Sequence, residues 1–399
     1  MVTKEGFMKI GILTFWWSND NYGQLLQCYA LQKYLRDMGH DAFLIRYNWT
    51  LDLEPNPILY RILSALNPVK LYRFLDNKRR EFCVKKEQKS NNRHFDDFRE
   101  RYIQQSKLLY SSYYELNKNP PEADIYIVGS DQVWNTWYKN RKRFYKQIHA
   151  YFLDFGNKNI RRMSYAASWG DAKLPISFVN DVKHLLANFY YVSVREKSGV
   201  ELCKICGRND AEWVCDPTLL LSANTYRKLY YNNTIRKPSK KYIVLYMLLN
   251  ECKFDIQYVY DFAASKNLEV LYITGNGVID RRKKFFATIP EWLYLLDNSE
   301  YVITNSFHCA VFSTIFHKQF GVIKLTGKAS SMNSRFESLF EVLGVEARYL
   351  INKDFSILDK LYETKEIISS ESFLKAVEWQ CKSLSHRQHP VKRKDQILR

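Results

Sequence analysis

Apolar residues fall along the chain in short β-rich runs that alternate with longer stretches of helical spacing. The first run, Lys9-Ile-Gly-Ile-Leu-Thr-Phe15, suits a buried parallel strand. A polar loop, Ser18-Asn-Asp-Asn21, follows it. Leu25, Leu26, Tyr29, Ala30, Tyr34, Leu35 and Met38 then recur at helical spacing. Asn21 stands where an N-cap belongs, with Gln24 three residues on, and Gly39 where a helix end favours a left-handed residue. Ala42 to Tyr47 supplies a second strand. The pattern predicts a β-α-β opening of a doubly wound sheet.

The rhythm resumes after an insertion. Strands are predicted at 124–128, 162–167 and 190–194, with a helix at 176–188. Asp216-Pro217-Thr218 and the polar run 231–240 read as a junction. A second series follows, with strands at Tyr242 to Tyr246, Leu268 to Thr274, Tyr301 to Thr304 and Gln319 to Ile323. Its helices are expected near 253–266, 290–298, 308–317 and 334–343. The expected fold is α/β, with two Rossmann-like domains around a central cleft. The first covers 1–215, a linker 216–240 and the second 241–385, ahead of a basic tail at 386–399. A last helix at about 371–384 is expected to cross back to the first half.

Residues 50–120 break the rhythm. Arg61, Lys70, Arg73, Lys78, Arg79, Arg80, Lys85, Lys86 and Lys89 are interleaved with Ile58, Leu59, Ile62, Leu63, Leu66, Leu71, Phe74 and Leu75. This reads as a helical, basic, amphipathic insertion. Such a pair either packs as an ordinary subdomain or lies in a membrane interface.

Composition narrows the classes. At 399 residues the chain exceeds a usual single domain. Hydrophobic residues at 46% and charged residues at 26% exclude disorder as the main state. No apolar run approaches the ~20 residues that cross a bilayer. Ile10 to Trp17 is followed at once by polar residues, so no signal peptide is expected and the chain reads as cytoplasmic. Sixty Lys and Arg against 42 Asp and Glu give +18, which favours anionic partners. No nucleic-acid-binding signature accompanies that charge, so no nucleic acid is expected. Eight scattered cysteines read as reduced thiols. Cys203-Lys-Ile-Cys206 with Cys215 lacks a fourth ligand, so no metal is expected. Thr274-Gly275-Asn276-Gly277 lacks the third glycine of a dinucleotide fingerprint.

Ligands of open α/β sheets bind beyond the carboxyl ends of strands. The residues there are Asn21-Tyr22-Gly23, Gly129 to Asn135, Ser168-Trp169-Gly170, Arg195-Glu196 and Asn305-Ser306-Phe307-His308. Each has an ordinary alternative. Asn21 serves as a helix cap, Asp131 closes an Asx turn, Trp134 packs between elements, Arg195 pairs with an acid, and His308 is a satisfied interior histidine. Their joint placement at strand ends favours a site. His308 is the sharpest, because Ser306 reads as an N-cap and puts it in the first turn of a helix, where anions bind. A histidine there holds an anion or moves a proton near neutral pH.

At these residues the chain resembles the polysaccharide pyruvyltransferase family. The similar pieces, in the family's order, are Asn21-Tyr-Gly-Gln-Leu-Leu-Gln27, Gly129-Ser-Asp-Gln-Val-Trp-Asn135, Ser164 to Gly170, Ser193-Val-Arg-Glu196, Asp216-Pro-Thr-Leu-Leu220 and Ile303-Thr-Asn-Ser-Phe-His308. The resemblance implies a GT-B-like arrangement and transfer of the enolpyruvyl unit of phosphoenolpyruvate to a sugar. It implies no cofactor, and a nucleotide- or lipid-linked sugar as acceptor. It makes His308, Asp131 and Arg195 the catalytic candidates. Asn21, Tyr22, Gly23, Ser130, Gln132, Trp134, Ser168, Ser306 and Phe307 become candidates for substrate binding. The sequence departs from the family at Cys309, usually glycine and here expected beside the phosphate, and at Asn305, commonly aspartate. The alternative is a GT-B glycosyltransferase using a nucleotide sugar. An anionic membrane surface is a further expected partner.

Overall fold

The computed structural model describes residues 7–50, 91–136, 145–275, 278, 280–365, 371–375 and 377, with helical residues 68, 69, 71, 72, 74–76, 78, 79, 82 and 86. The first half is a parallel sheet of order β3-β2-β1-β4-β5. Its strands are β1 (Lys9–Leu13), β2 (Asp41–Tyr47), β3 (Gln105–Tyr110), β4 (Ile125–Val128) and β5 (Arg161–Ser164). Single bridges, Met163 to Tyr191 and Ala167 to Val194, carry the sheet on to β6 (Ser193–Val194), which pairs with β7 (Glu212–Trp213). The second half is a parallel sheet of order β11-β10-β8-β9, made of β8 (Tyr242–Met247), β9 (Glu269–Thr274), β10 (Tyr301–Thr304) and β11 (Gln319–Val322). Two Rossmann-like halves are therefore present, each with helices on its faces.

The strands are apolar throughout because both faces are covered. In the second sheet Val244, Tyr246, Val302 and Phe320 belong to one core, while Ile243, Leu245, Met247 and Ile303 belong to the other. The alternation follows from the period-2 geometry of a strand.

The first helix, α1 (Tyr22–Asp37), is buried at every position from Tyr22 to Gln32. Leu31 and Leu35 pack on Ile10 and Ile12 of the first sheet. Tyr22, Leu25, Leu26 and Tyr29 instead share a core with Tyr246, Phe312 and Trp292 of the second half, where α9 (Ile289–Asp297) carries Trp292. Tyr22 stacks on Trp292 with centroids 4.9 Å apart and planes 5° apart, and its hydroxyl donates to the Ala287 carbonyl at 2.8 Å. One hydrophobic core thus crosses between the halves.

The connection at 216–240 is ordered and packed on both sides. A 3-10 turn at Pro217–Leu220 leads to α7 (Ala223–Tyr231). Asp297 on α9 receives Arg227 of α7 at 2.7 and 2.9 Å. Phe373 and Val377, both in helical residues, join the core of the first half beside Tyr165, so the chain does cross back.

One expectation needs correction. The insertion at 50–120 was expected to be helical, yet its described part contains β3 as well as α2 (Phe95–Tyr102) and α3 (Tyr113–Lys118). β3 is an edge strand, hydrogen-bonded on one side to β2, with Lys107, Leu108 and Leu109 all exposed. With three successive exposed positions between buried Ser106 and Tyr110, the strand shows no alternation to read. Of the amphipathic stretch at 58–89, Arg61, Lys70, Arg73, Arg80, Lys85 and Lys89 lie outside the described residues, as does the 386–399 tail. The remaining helices are α4 (Tyr145–Tyr151), α5 (Ile176–Leu186), α6 (Lys197–Ile205), α8 (Gln257–Ser265), α10 (Phe307–Ile315) and α11 (Ser334–Leu343). Among the described residues, no helix is long and apolar enough to cross a membrane.

The shared core predicts that the halves unfold together. Trp292→Ala should lower stability by ~3–5 kcal/mol, read as an earlier midpoint of a single urea transition. Two separate transitions, with only one moved by the substitution, would contradict the shared core.

Candidate active site

Each sheet reverses its strand order once, at β1/β4 in the first half and at β8/β10 in the second. Such switch points open a crevice at the carboxyl ends of the strands. Here the two crevices face each other. The loop after β1 (Trp17 to Asn21) and the loop after β4 (Asp131, Gln132) meet Leu248 and Leu249 after β8 and Asn305 and Ser306 after β10, around a cleft of about 510 Å³.

His308 enters this cleft from the first turn of α10. The N-cap, Ser306, makes no side-chain capping bond, and the first turn holds no acid. The N–H groups of that turn and the positive end of the helix dipole therefore meet the cleft uncompensated. The His308 side chain packs closely on Gly23, where an added Cβ would stand 2.2 Å from Cγ. Only glycine permits that approach. His308 Nε2 lies 3.5 Å from Asp216 Oδ2.

Asp216 is fully buried and links the two halves. Its Oδ2 accepts from Arg195 Nη1 at 2.9 Å and from Ser130 Oγ at 2.8 Å. Its Oδ1 accepts from the Thr218 N–H at 3.0 Å and the Thr218 hydroxyl at 2.7 Å. Burial pushes its carboxyl up, but His308, Arg195 and Thr218 outweigh this and hold it well below the usual carboxylate range. Arg195, directly after β6, also gives Nη1 to Ser130 Oγ at 3.2 Å and Nε to Glu196 at 3.4 Å. Ser168 donates to the same Glu196 oxygen at 2.6 Å. Burial opposes the Arg195 charge, and Glu196 and Asp216 more than restore it.

Asp131 lines the cleft with a φ of +80°, an uncommon conformation for a residue with a side chain. One carboxylate oxygen accepts its neighbour's N–H, that of Gln132, at 2.8 Å, which aids this turn. Asn21 both lines the cleft and caps α1, accepting from the Gln24 N–H at 3.3 Å. Gln132, Ser306 and Phe307 also line it. Arg335, in the first turn of α11, completes the wall and is only 9% exposed. Burial, then the nearby Arg195 charge, push it down to about 10.

Other candidates sit elsewhere. Tyr22 belongs to the shared core described above. Trp134 is fully buried, stacks on Phe152 at 5.1 Å and donates to the Tyr151 carbonyl at 3.0 Å. Both are large aromatics, Tyr22 at the start of α1 and Trp134 in the turn after β4, and packing claims them. Gly23, Ser130 and Ser168 act behind the cleft wall, through His308, Asp216 and Glu196 respectively. Cys309, expected beside the anion, instead faces the core, where burial pushes its thiol up to about 12. Asn305 donates Nδ2 to the Leu249 carbonyl at 2.7 Å and accepts the Leu248 N–H at 2.8 Å. An aspartate could make only the second bond. The roles of Asp216 and Arg335 escaped the sequence reading. Asp216 was visible only as part of a motif, and nothing marked Arg335. Among the described residues, no group of three or more His, Cys, Asp or Glu could hold a metal ion.

Asp216→Asn should destabilise the protein by ~3–5 kcal/mol, because it leaves Arg195 buried without its nearer counter-charge. The pH dependence follows from the same depressed carboxyl. Its contribution is complete above the unfolded-state pKa of ~4 and fades as pH falls below that towards the lower folded-state value. Urea midpoints measured between neutral pH and pH 3 should fall more steeply for the wild type than for Asp216→Asn. Parallel curves would remove Asp216 from the account.

A family model described as polysaccharide pyruvyl transferase matches residues 21–325. No curated protein matches the sequence. Among solved structures, the fold is similar to a UDP-GlcNAc 2-epimerase of Methanocaldococcus jannaschii, solved with UDP-GlcNAc and UDP. That pair shares 11% identity and a TM-score of 0.50 over 95% of this chain and 100% of the other. Lesser likenesses are a Neisseria meningitidis UDP-GlcNAc 2-epimerase (10% identity, TM-score 0.41, 94% and 93% covered) and a Streptomyces sp. SF2575 glycosyltransferase (10%, 0.32, 95% and 96%). At these identities the likeness is one of fold, the GT-B arrangement of paired Rossmann-like halves. The match over residues 21–325, most of its length, places the chain in the polysaccharide pyruvyl transferase family.

Proposed function

We propose that the protein transfers the enolpyruvyl group of phosphoenolpyruvate to two hydroxyls of a sugar in a cell-surface polysaccharide or its precursor, forming a pyruvate ketal. The observation that carries this reading is the uncapped start of α10, which opens with His308 into the cleft across from Asp131. The donor brings a phosphate and a carboxylate, and its phosphate suits the α10 terminus. In the reaction a proton adds to the donor's methylene carbon, and C2 becomes oxocarbenium-like. One sugar hydroxyl bonds to C2 as it loses its proton. The bond from C2 to the phosphate oxygen then breaks, and the second hydroxyl bonds to C2 as its proton passes to the departing inorganic phosphate, closing the ketal. His308 fits the phosphate side as a donor or proton shuttle. Asp131 fits the acceptor side, taking a hydroxyl proton or stabilising the cationic carbon.

The test is phosphate release from phosphoenolpyruvate against a panel of nucleotide- and lipid-linked sugars. His308→Ala should slow it by ~10²–10⁴ if the residue moves a proton. Recovery in His308→Gln would assign it to binding instead. Asp131→Asn should slow turnover while leaving donor binding largely intact. Release of a nucleoside diphosphate from a nucleotide sugar, with phosphoenolpyruvate inert, would replace this reading with glycosyl transfer.

The acceptor is proposed to be met at an anionic membrane surface. This part is supported by the described helical residues of the insertion, where Val69, Tyr72, Phe74, Leu75 and Phe82 are all more than half exposed alongside exposed Lys78, Arg79 and Lys86. Exposed apolar and basic residues together suit a bilayer interface. The protein should sediment with vesicles containing anionic lipid, less so at higher salt, and less when Lys78, Arg79 and Lys86 are changed to Gln. Equal retention on neutral vesicles would argue for ordinary packing.

A further inference from the structure

Two buried arginines approach the base of the cleft from opposite halves, and their surroundings differ. Arg195 is committed to the protein. Its Nη1 serves Asp216 and Ser130, its Nε serves Glu196, and two carboxylates balance its charge. Its Cζ lies 4.5 Å from the ring centroid of Phe307, a residue that lines the cleft while Arg195 does not. The Nη2 group has no partner, but it is sealed from solvent behind this ring.

Arg335 is the reverse case. It lines the cleft, is nine-tenths buried, and gives one hydrogen bond, from Nε to the Met332 carbonyl at 3.2 Å. Among the described residues no carboxylate pairs with it and no acceptor takes its terminal N–H groups. Unlike Arg195 Nη2, its terminal nitrogens are not sealed from solvent, so an acceptor in the cleft can reach them. Burial of the residue and the like charge of Arg195 weaken its hold on its proton, and an anion in the cleft would offset both. The fork of a guanidinium matches a carboxylate or phosphate at two points.

We infer that Arg335, rather than Arg195, is the guanidinium that binds the donor's anionic group, facing His308 and the start of α10. Arg195 is then a positioning residue, which holds Asp216 and through it sets the place of His308. The inference rests on the donor reading above, but it concerns which residue touches the anion and is testable separately.

The experiment measures phosphoenolpyruvate turnover together with binding of phosphoenolpyruvate and of inorganic phosphate, followed by the fluorescence of Trp17 in the cleft wall. Arg335→Gln should raise KM for phosphoenolpyruvate and weaken phosphate binding by ~10–10², with kcat changed far less, as expected for loss of a charge-assisted contact. Arg335→Lys should recover part of the affinity, since it restores charge without the fork. Arg195→Gln should lower kcat more than it raises KM, and Arg195→Lys, which can still pair with Asp216, should recover kcat. The reverse split, with KM following Arg195 and unchanged by Arg335→Gln, would overturn the inference and leave the donor reading intact. If the wild type binds phosphate or a nucleotide sugar but turns over no phosphoenolpyruvate, and Arg335→Gln abolishes that binding, the donor reading falls and the inference stands. A wild type with no affinity for any of these anions overturns both.

Discussion

Asp216 is a buried carboxylate that the rest of the site depends on, because it is the point at which groups from both halves meet. It takes hydrogen bonds from Arg195 and Ser130 of the first sheet and lies against His308 of the second. Removing two charges from water is costly, and a buried pair is favourable only where further hydrogen bonds satisfy most of its remaining lone pairs and N–H groups. Here the second Asp216 oxygen is filled by Thr218, and Arg195 Nε is met by Glu196, itself held by Ser168. Five motif segments of the chain meet around this one carboxylate. The network lies behind the cleft wall, so its task is to fix what does line the cleft.

The shared core makes this arrangement possible. α1 is buried on all sides because one face lies on its own sheet and the other enters the second half, where Tyr22 stacks on Trp292. Two halves joined by a common core keep the groups of the cleft close without prior closure. Arg195 and His308, from opposite halves, already share Asp216. Preorganised groups need little rearrangement as charge develops in a reaction. Gly23 belongs to the same constraint, since α1 reaches His308 only where it carries no side chain.

The departures from the family pattern are local solutions to packing. Cys309 replaces glycine on the helix face turned to the core, away from the anion. Asn305 replaces aspartate where both a donor and an acceptor are used to hold the loop after β8. Neither change touches the open N–H groups of α10.

Alternation of apolar runs and helical spacing was enough to read the strands at Lys9, Asp124 and Tyr301 and the helices between them, because a buried parallel strand and its covering helix leave strong local patterns. β3 left none, since its exposed run from Lys107 to Leu109 interrupts the alternation, while pairing with β2 and the buried Tyr110 hold it in place. His308, Asp131 and Asn21, marked by motif position, line the cleft, because strand order and helix caps are local consequences of sequence. Whether a marked residue faces the cleft or the core was not local. Tyr22 and Trp134 stand in the same motifs as Asn21 and Asp131, yet their large rings were taken up by packing across elements distant in the chain. Asp216 and Arg335 became members of the candidate site only when the halves came together, since the groups around the carboxylate come from as far along the chain as Ser130 and His308, and Arg335 comes from the second half. Sequence determined the elements and the loops where chemistry could lie, and the tertiary structure decided which side chains reach it, because burial and charge pairing are properties of the assembled halves.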